Sequence, residues 1–115
     1  MKIALLGYGR MAQAIEKFAL QRAHQIVFTL DKDSAQGDLS KADVAINFSV
    51  PQSAVANIKS ALEKQIPVVS GTTGWLDDYE EVAAFCKAQN TGFLYASNFS
   101  IGVNLFFKIN TLVAK

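Results

Sequence analysis

The chain has 115 residues, of which 50% are hydrophobic and 18% charged, and its formal net charge is +1. This length suits one domain with a buried core, and the composition excludes a disordered chain. The near-neutral charge excludes the basic surface typical of nucleic-acid or anionic-membrane binding, and no apolar run is long enough to span a bilayer. The lone cysteine, Cys86, excludes an internal disulfide. We therefore expect a soluble cytoplasmic domain.

The first predicted element is a strand at residues 3–6, an unbroken apolar run of the kind found in parallel strands covered on both faces. The run stops at Gly7-Tyr8-Gly9-Arg10-Met11-Ala12 and resumes as a helix, whose predicted buried face is Met11, Ile15, Phe18 and Ala19. In such a turn the first glycine permits a sharp bend, and the second lets phosphates approach the backbone. A small third residue lets the helix pack on its strand, and the helix N-terminus adds unpaired N–H groups. The turn therefore predicts a site for a dinucleotide pyrophosphate.

Strands and helices alternate through the rest of the chain. Further strands are predicted at residues 25–30, 44–48, 66–69 and 93–96, and the polar residues 31–41 are predicted to form a surface loop. Helices are predicted from Pro51, near Asp77 and at the C-terminal end of the chain. The alternation predicts an α/β fold with a doubly wound, mostly parallel, Rossmann-like sheet and right-handed crossovers. Ligands of such sheets bind at the carboxyl ends of the strands, where the polar segments of this chain fall.

Asp31 ends the second predicted strand, about 20 residues after the glycine turn, where a dinucleotide fold places its ribose-binding acid. A carboxylate there accepts hydrogen bonds from the ribose hydroxyls and repels a 2′-phosphate. Lys32 follows directly and is expected to offset that repulsion, which favours mixed use of NADH and NADPH. The alternative for both residues is a pair of solvated loop charges.

Two further polar stretches follow strands. Gly71-Thr72-Thr73-Gly74 brings backbone and hydroxyl groups close to any flat ligand, although by itself it also fits an ordinary strand-to-helix turn with a threonine cap. Residues 96–104 read Ala-Ser-Asn-Phe-Ser-Ile-Gly-Val-Asn and carry more amides and hydroxyls than a turn requires. Helix capping by Asn98 and Asn104 is the alternative for the second stretch.

Together these motifs resemble the 4-hydroxy-tetrahydrodipicolinate reductase family, also called dihydrodipicolinate reductase. Gly9-Arg10-Met11, Asn47-Phe48-Ser49, the Gly71–Gly74 turn and the stretch at 96–104 occur in the order and context of that family. The resemblance covers essentially the whole chain but only the family's N-terminal cofactor domain. The sequence departs from the family pattern in several places. Ala12 replaces a glycine, and Asn47-Phe48-Ser49 replaces Asp-Phe-Thr. The family often carries an extra residue before the match to Gly9, and the loop after Asp31 is short here.

The resemblance implies a role for each matching residue. The pyrophosphate would be held by Gly7, Tyr8, Gly9, Arg10, Met11 and Ala12, and the adenosine ribose by Asp31, with Lys32 near a 2′-phosphate. The nicotinamide side would be lined by Gly71, Thr72, Thr73, Ala96, Ser97, Asn98 and Phe99. Phe48 would sit against the cofactor from the third predicted strand.

The resemblance also implies NADH and NADPH as cofactors and a cytoplasmic oxidoreductase of the diaminopimelate route to lysine. The full-length protein would be a homotetramer that acts on a small-molecule substrate, without a nucleic-acid or membrane partner. The family's substrate domain carries a paired-histidine segment that is absent from this chain, whose single histidine, His24, falls at the opposite end of the sheet. The resemblance therefore implies that residues 1–115 form a dinucleotide-binding domain that is incomplete without the C-terminal part of the family's chain and that turns over nothing alone. No catalytic residue and no metal ligand are assigned to it.

Two other functions fit parts of the pattern. An aspartate or homoserine dehydrogenase shares the glycine turn and a two-domain plan, but the signature around Asn98 favours the reductase. A regulatory module that senses NAD(H) needs no substrate domain. The apolar periodicity continues up to Lys115, which favours a truncated chain over such a module.

Overall fold

A computed structural model of the chain describes residues 1–31, 34–71 and 76–95. Its strands are β1 (Lys2–Leu6), β2 (Gln25–Asp31), β3 (Ser34–Gly37), β4 (Val44–Asn47), β5 (Val68–Ser70) and β6 (Phe93–Tyr95). They form a six-stranded sheet in the order β3-β2-β1-β4-β5-β6. Neighbouring strands are parallel except β2 and β3, which pair antiparallel. The predicted α/β fold with a mostly parallel sheet is confirmed.

Three helices connect these strands: α1 (Arg10–Gln21), α2 (Pro51–Glu63) and α3 (Tyr79–Ala88). Pro51 begins α2, where the fixed φ of proline suits a helix and its missing N–H breaks no helical bond. Two short 3-10 turns also lie among the described residues, at Leu39–Lys41 and Leu76–Asp78. None of the helices among the described residues has the length and hydropathy needed to cross a membrane. The helix predicted at the C-terminal end lies outside the described residues.

The hydrophobic core has two parts, one on each face of the sheet. Ala4 and Leu6 of β1 face a cluster with α2 and α3, whereas Ile3 and Leu5 face a cluster with α1. All four side chains are fully buried. Because successive residues of a strand point to opposite faces, burial on both sides explains why the apolar run of β1 is unbroken.

The prediction of a surface loop at residues 31–41 is wrong in part, because this segment contains β3. The strand pairs with β2 from Phe28↔Gly37 to Asp31↔Ser34, and all its side chains are exposed. Gly37 ends it with φ +93°, where an added Cβ would lie 2.1 Å from the Val27 carbonyl oxygen. Backbone pairing at the sheet edge therefore makes this strand without any buried apolar side chain to signal it.

The predicted buried face of α1 is also partly wrong. Ile15 and Ala19 are buried as expected, but Met11 is 51% and Phe18 is 41% exposed. Ala12 takes the position against the sheet that the periodicity assigned to Met11, and it is 2% exposed. The small side chains of Ala12 and Ala19 let α1 approach the sheet closely. The Arg22 guanidinium instead lies over the exposed Phe18 ring, 4.4 Å from the ring centroid.

Candidate functional site

The sheet brings the ends of four strands side by side. Leu6 at the end of β1 is in register with Leu30 of β2 and with Asn47 of β4, and Asn47 is in register with Ser70 of β5. Backbone hydrogen bonds continue past the strands: the Gly7 N–H donates to the Leu30 carbonyl at 2.8 Å. The segments that follow these strands therefore leave the sheet next to one another, as the strand pattern predicted.

Gly7 is a glycine for a steric reason. Its φ is +93°, and an added Cβ would lie 2.6 Å from the carbonyl oxygen of Phe48 and 2.9 Å from Cα of Ser49. The Phe48 N–H in turn donates to the Leu6 carbonyl at 2.9 Å. The turn after β1 is thus packed directly on the backbone that follows β4, with no room for a side chain.

Gly9 lies in open space, in contrast to the tightly packed Gly7. It precedes the first residue of α1, and a Cβ added to it would meet no atom of the described residues within 4 Å. No side chain among these residues caps the helix, so the first N–H groups of α1 face this open space. The Gly9 carbonyl accepts a hydrogen bond from the Gln13 N–H at 3.0 Å. The result is an open backbone cradle at the positive end of a helix dipole, which is the geometry that binds phosphate.

The glycine turn borders a cleft of about 370 Å³, which we call the larger cleft. Five of the predicted site residues line it: Gly7, Tyr8, Gly9, Asp31 and Phe48. Arg10 and Met11 are exposed on the first turn of α1, and Ala12 is buried beneath it, so these three do not line the cleft. The acid after β2 and the glycine turn after β1 therefore face one common space.

Sequence reasoning missed the part of the larger cleft formed by the start of α2 and the residue before it. It consists of Val50, Ser53 and Asn57, and Leu30 and Ser49 also line the cleft. Ser53 and Asn57 are half-buried and lie one helical turn apart on α2. A pair of short polar side chains at this spacing, on a helix that starts directly after β4, is the signal that could have identified them.

Phe48 and Gly71 are in contact. A Cβ on Gly71 would lie 2.2 Å from Cζ of the Phe48 ring, so the ring rests on the backbone after β5. The Gly71 N–H also donates to the Asn47 carbonyl at 3.0 Å. Phe48 thus connects the larger cleft to the first residue of the Gly-Thr-Thr-Gly turn. Lys32, Thr72, Thr73, Ala96, Ser97, Asn98 and Phe99 lie outside the described residues.

A buried polar network fixes the backbone under Phe48. Asn47 and Ser70 are both fully buried, and the Asn47 Nδ2 amide donates to the Ser70 hydroxyl at 3.2 Å. The Ser49 hydroxyl donates to Oδ1 of the same asparagine at 2.8 Å. Because buried polar groups are costly when unpaired, this network holds the ends of β4 and β5 in one arrangement.

A second cleft of about 210 Å³, which we call the smaller cleft, lies beside the larger one. Its lining is polar and consists of Tyr8, Glu16, Thr29, Asp31, Ser34 and Gln36. The Tyr8 hydroxyl donates to Oε1 of Glu16 at 2.5 Å, and this hydrogen bond raises the pKa of the Tyr8 phenol. Tyr8 and Asp31 line both clefts and therefore separate them.

Comparison with known sequences supports a family assignment. Residues 1–99 match the family model described as "Dihydrodipicolinate reductase, N-terminus". The chain is 55% identical over 116 aligned residues to the 4-hydroxy-tetrahydrodipicolinate reductase of Christiangramia forsetii, covering 99% of this chain and 48% of that protein. It is 39% identical over 83 residues to the same-named reductase of Neisseria meningitidis serogroup C, covering 72% of this chain and 30% of that protein. The chain thus spans less than half the length of either relative.

Solved structures show the same fold at low sequence identity. A putative homoserine dehydrogenase from Archaeoglobus fulgidus has a TM-score of 0.70 at 16% identity, covering 83% of this chain and 42% of that chain. An NAD-binding protein from Listeria innocua has a TM-score of 0.69 at 18% identity, covering 84% of this chain and 35% of that chain. A hyperthermophilic archaeal homoserine dehydrogenase in complex with NADPH has a TM-score of 0.67 at 14% identity, covering 82% of this chain and 43% of that chain. These similarities concern the fold alone.

Proposed function

The chain belongs to the dihydrodipicolinate reductase family, and we propose that it is the part of the enzyme that binds the nicotinamide dinucleotide. The whole protein would reduce 4-hydroxy-tetrahydrodipicolinate to tetrahydrodipicolinate with loss of water, in the diaminopimelate route to lysine. We further propose that the substrate-binding and tetramer-forming domain is supplied by sequence outside these 115 residues.

The observation that carries this proposal is the pairing of an open phosphate cradle with an acid in one cleft. The space above Gly9 admits a phosphate that a Cβ would block, and the N-terminus of α1 is directed at it. Asp31 lines the same cleft and is exposed, so its carboxylate is available to the ribose hydroxyls. The residues present therefore fit a dinucleotide whose adenosine half occupies the larger cleft.

The wall formed by Val50, Ser53 and Asn57 suits an adenine ring. Val50 is 59% exposed and offers an apolar surface, while Ser53 and Asn57 offer hydrogen-bonding groups. An amide side chain both donates and accepts, as the edge of adenine does. We assign the adenine to this wall and the ribose to Asp31.

From the adenosine end the cofactor would extend past the glycine turn toward Phe48 and Gly71. The contact between these two residues supports a continuous surface from the larger cleft to the turn after β5. By family resemblance, Thr72, Thr73, Ala96, Ser97, Asn98 and Phe99 would line the nicotinamide side. Arg10, exposed on the first turn of α1, would be the nearest cation to the phosphates.

When bound, the dinucleotide supplies the hydride for the reduction. The residues of this chain would bind and orient it, and they would keep its phosphates fixed at the end of α1. The proton donor and the cation that holds the substrate would come from the other domain. Both NADH and NADPH are proposed as cofactors, with Asp31 favouring the first and Lys32 accommodating the second.

A chimera tests the proposed activity. This chain would replace the matching N-terminal part of the Christiangramia forsetii reductase, to which it is 55% identical. We expect the chimera to oxidise NADPH only when 4-hydroxy-tetrahydrodipicolinate is formed in the assay, and the isolated chain to bind dinucleotide without turnover. A folded chimera that binds dinucleotide but stays inactive with this substrate, or that oxidises homoserine instead, would overturn the reductase assignment.

A further inference from the structure

The smaller cleft has no role in the function proposed so far. It shares Tyr8 and Asp31 with the larger cleft, and its other lining residues belong to α1, β2 and β3. Ser34 and Gln36 of β3 form its outer wall. The pairing of β3 with β2 therefore completes this cleft.

Glu16 is the residue that gives this cleft its charge. It is half-buried on α1, and its carboxylate accepts the Tyr8 hydroxyl hydrogen bond at 2.5 Å. Tyr8 lies between the two glycines of the turn, so the bond fixes the carboxylate relative to the phosphate cradle. Asp31 supplies a second carboxylate, and none of the described residues that line the cleft is basic.

We propose that Glu16, positioned by Tyr8, is a second determinant of cofactor choice that disfavours dinucleotides carrying a 2′-phosphate. The inference rests on the proposed function, in which Asp31 binds the adenosine ribose. A substituent on the 2′-oxygen leaves the ribose beside Asp31, and Asp31 lines the smaller cleft as well as the larger one. A phosphate monoester carries a charge of about −1.5 to −2 and would enter a cleft lined by two carboxylates, of which the Tyr8 hydroxyl fixes that of Glu16. The resulting repulsion favours binding of NADH over NADPH and opposes the expected contribution of Lys32.

The test compares dissociation constants for NADH and NADPH by calorimetry on the 115-residue chain. Glu16→Gln keeps an acceptor for the Tyr8 hydroxyl and removes the charge. We expect it to strengthen NADPH binding about threefold to tenfold and to leave NADH binding within about twofold. The gain should shrink as salt is raised, because the groups are near the surface. Glu63→Gln, which neutralises an exposed carboxylate at the end of α2, is the matched control and should change neither constant.

Tyr8→Phe separates positioning from a structural role. Without the hydroxyl, the Glu16 carboxylate is no longer fixed beside Asp31, so NADPH binding should improve, but less than in Glu16→Gln. If the hydrogen bond were merely structural, Tyr8→Phe would weaken the binding of both dinucleotides equally, and Glu16→Gln, which keeps the acceptor, would change the binding of neither. That result, or an unchanged ratio of the two constants in a folded Glu16→Gln chain, would overturn the inference. Failure of the wild-type chain to bind either dinucleotide would instead contradict the proposed function itself.

Discussion

The Phe48 ring lies directly on Gly71, so the segment after β4 packs on the segment after β5 at the edge of the larger cleft. The separation of 2.2 Å between an added Cβ and the ring Cζ leaves no room for a larger residue. This contact joins the adenosine side of the proposed site to the turn assigned to the nicotinamide side. It also makes the position of the ring depend on a residue that is distant in sequence.

Replacement of Gly71 by alanine is expected to displace the Phe48 ring. The ring must move away from the new methyl group, which should cost about 1–3 kcal/mol of unfolding free energy and weaken dinucleotide binding. Urea denaturation and calorimetry measure the two effects. Gly92→Ala is the matched control, because its Cβ would meet only Pro67 Cβ at 3.7 Å, an ordinary contact. Adding Phe48→Leu to Gly71→Ala should recover part of the stability, and strictly additive effects would contradict the contact.

The two glycines of the first turn should respond differently to the same substitution. Gly7→Ala forces a side chain into positive φ and against backbone atoms, so we expect a loss of about 3 kcal/mol or more. Gly9→Ala places a methyl group in open space and should leave the unfolding free energy within about 0.5 kcal/mol of wild type. Denaturant titration of both variants measures this difference. Equal losses in the two variants would contradict the distinct surroundings of the two glycines.

The polar network under Phe48 should be sensitive to truncation. Asn47→Ala leaves the buried Ser70 hydroxyl without its amide donor and removes the acceptor of Ser49, so we expect a loss of about 1–3 kcal/mol. Ser49→Ala removes one hydrogen bond of a partly buried side chain and should cost less, about 0.5–1.5 kcal/mol. If Ser49→Ala were as destabilising as Asn47→Ala, the network would not centre on the asparagine.

The free energy of unfolding should fall at acidic pH because of His24. Partial burial, the N-terminal amine and Arg22 lower the pKa of this imidazole below its ordinary value of 6.5. The unfolded chain therefore binds the proton at a higher pH than the folded one. The contribution of His24 to the free energy of unfolding is present above about pH 6.5 and is lost as the pH falls below it. We expect the urea midpoint to drop between about pH 7 and about pH 5.5, and the drop to be smaller in His24→Asn. An identical pH dependence in the two chains would contradict this assignment.

The sequence predicted the elements whose side chains are buried, and it failed where backbone contacts decide the structure. β1 was recognisable because both of its faces are covered. β3 was not, since Ser34-Ala35-Gln36-Gly37 is exposed and is held by its pairing with β2. The inward positions of Met11 and Phe18 were mispredicted because helical periodicity ranks residues by hydropathy, whereas close approach to the sheet selects Ala12.

The same limit applies to the candidate site. The glycine turn and Asp31 could be placed in one site from their spacing and from the strand order. Glu16 could not, because its position in a cleft depends on how α1 packs against the strand ends. Ser53 and Asn57 offered only the weaker signal of two short polar side chains one turn apart on the helix that follows β4. The Tyr8–Glu16 hydrogen bond also joins two residues whose partnership no sequence motif encodes.

The dinucleotide assignment is tested most directly by calorimetric titration of the folded 115-residue chain with NADH and with NADPH, beside the Gly9→Ala variant. We predict saturable binding of dinucleotide at one site per wild-type chain, and its loss in Gly9→Ala at unchanged unfolding free energy. A folded wild-type chain that binds neither dinucleotide, or a Gly9→Ala chain that binds as well as wild type, would contradict a phosphate cradle at the start of α1.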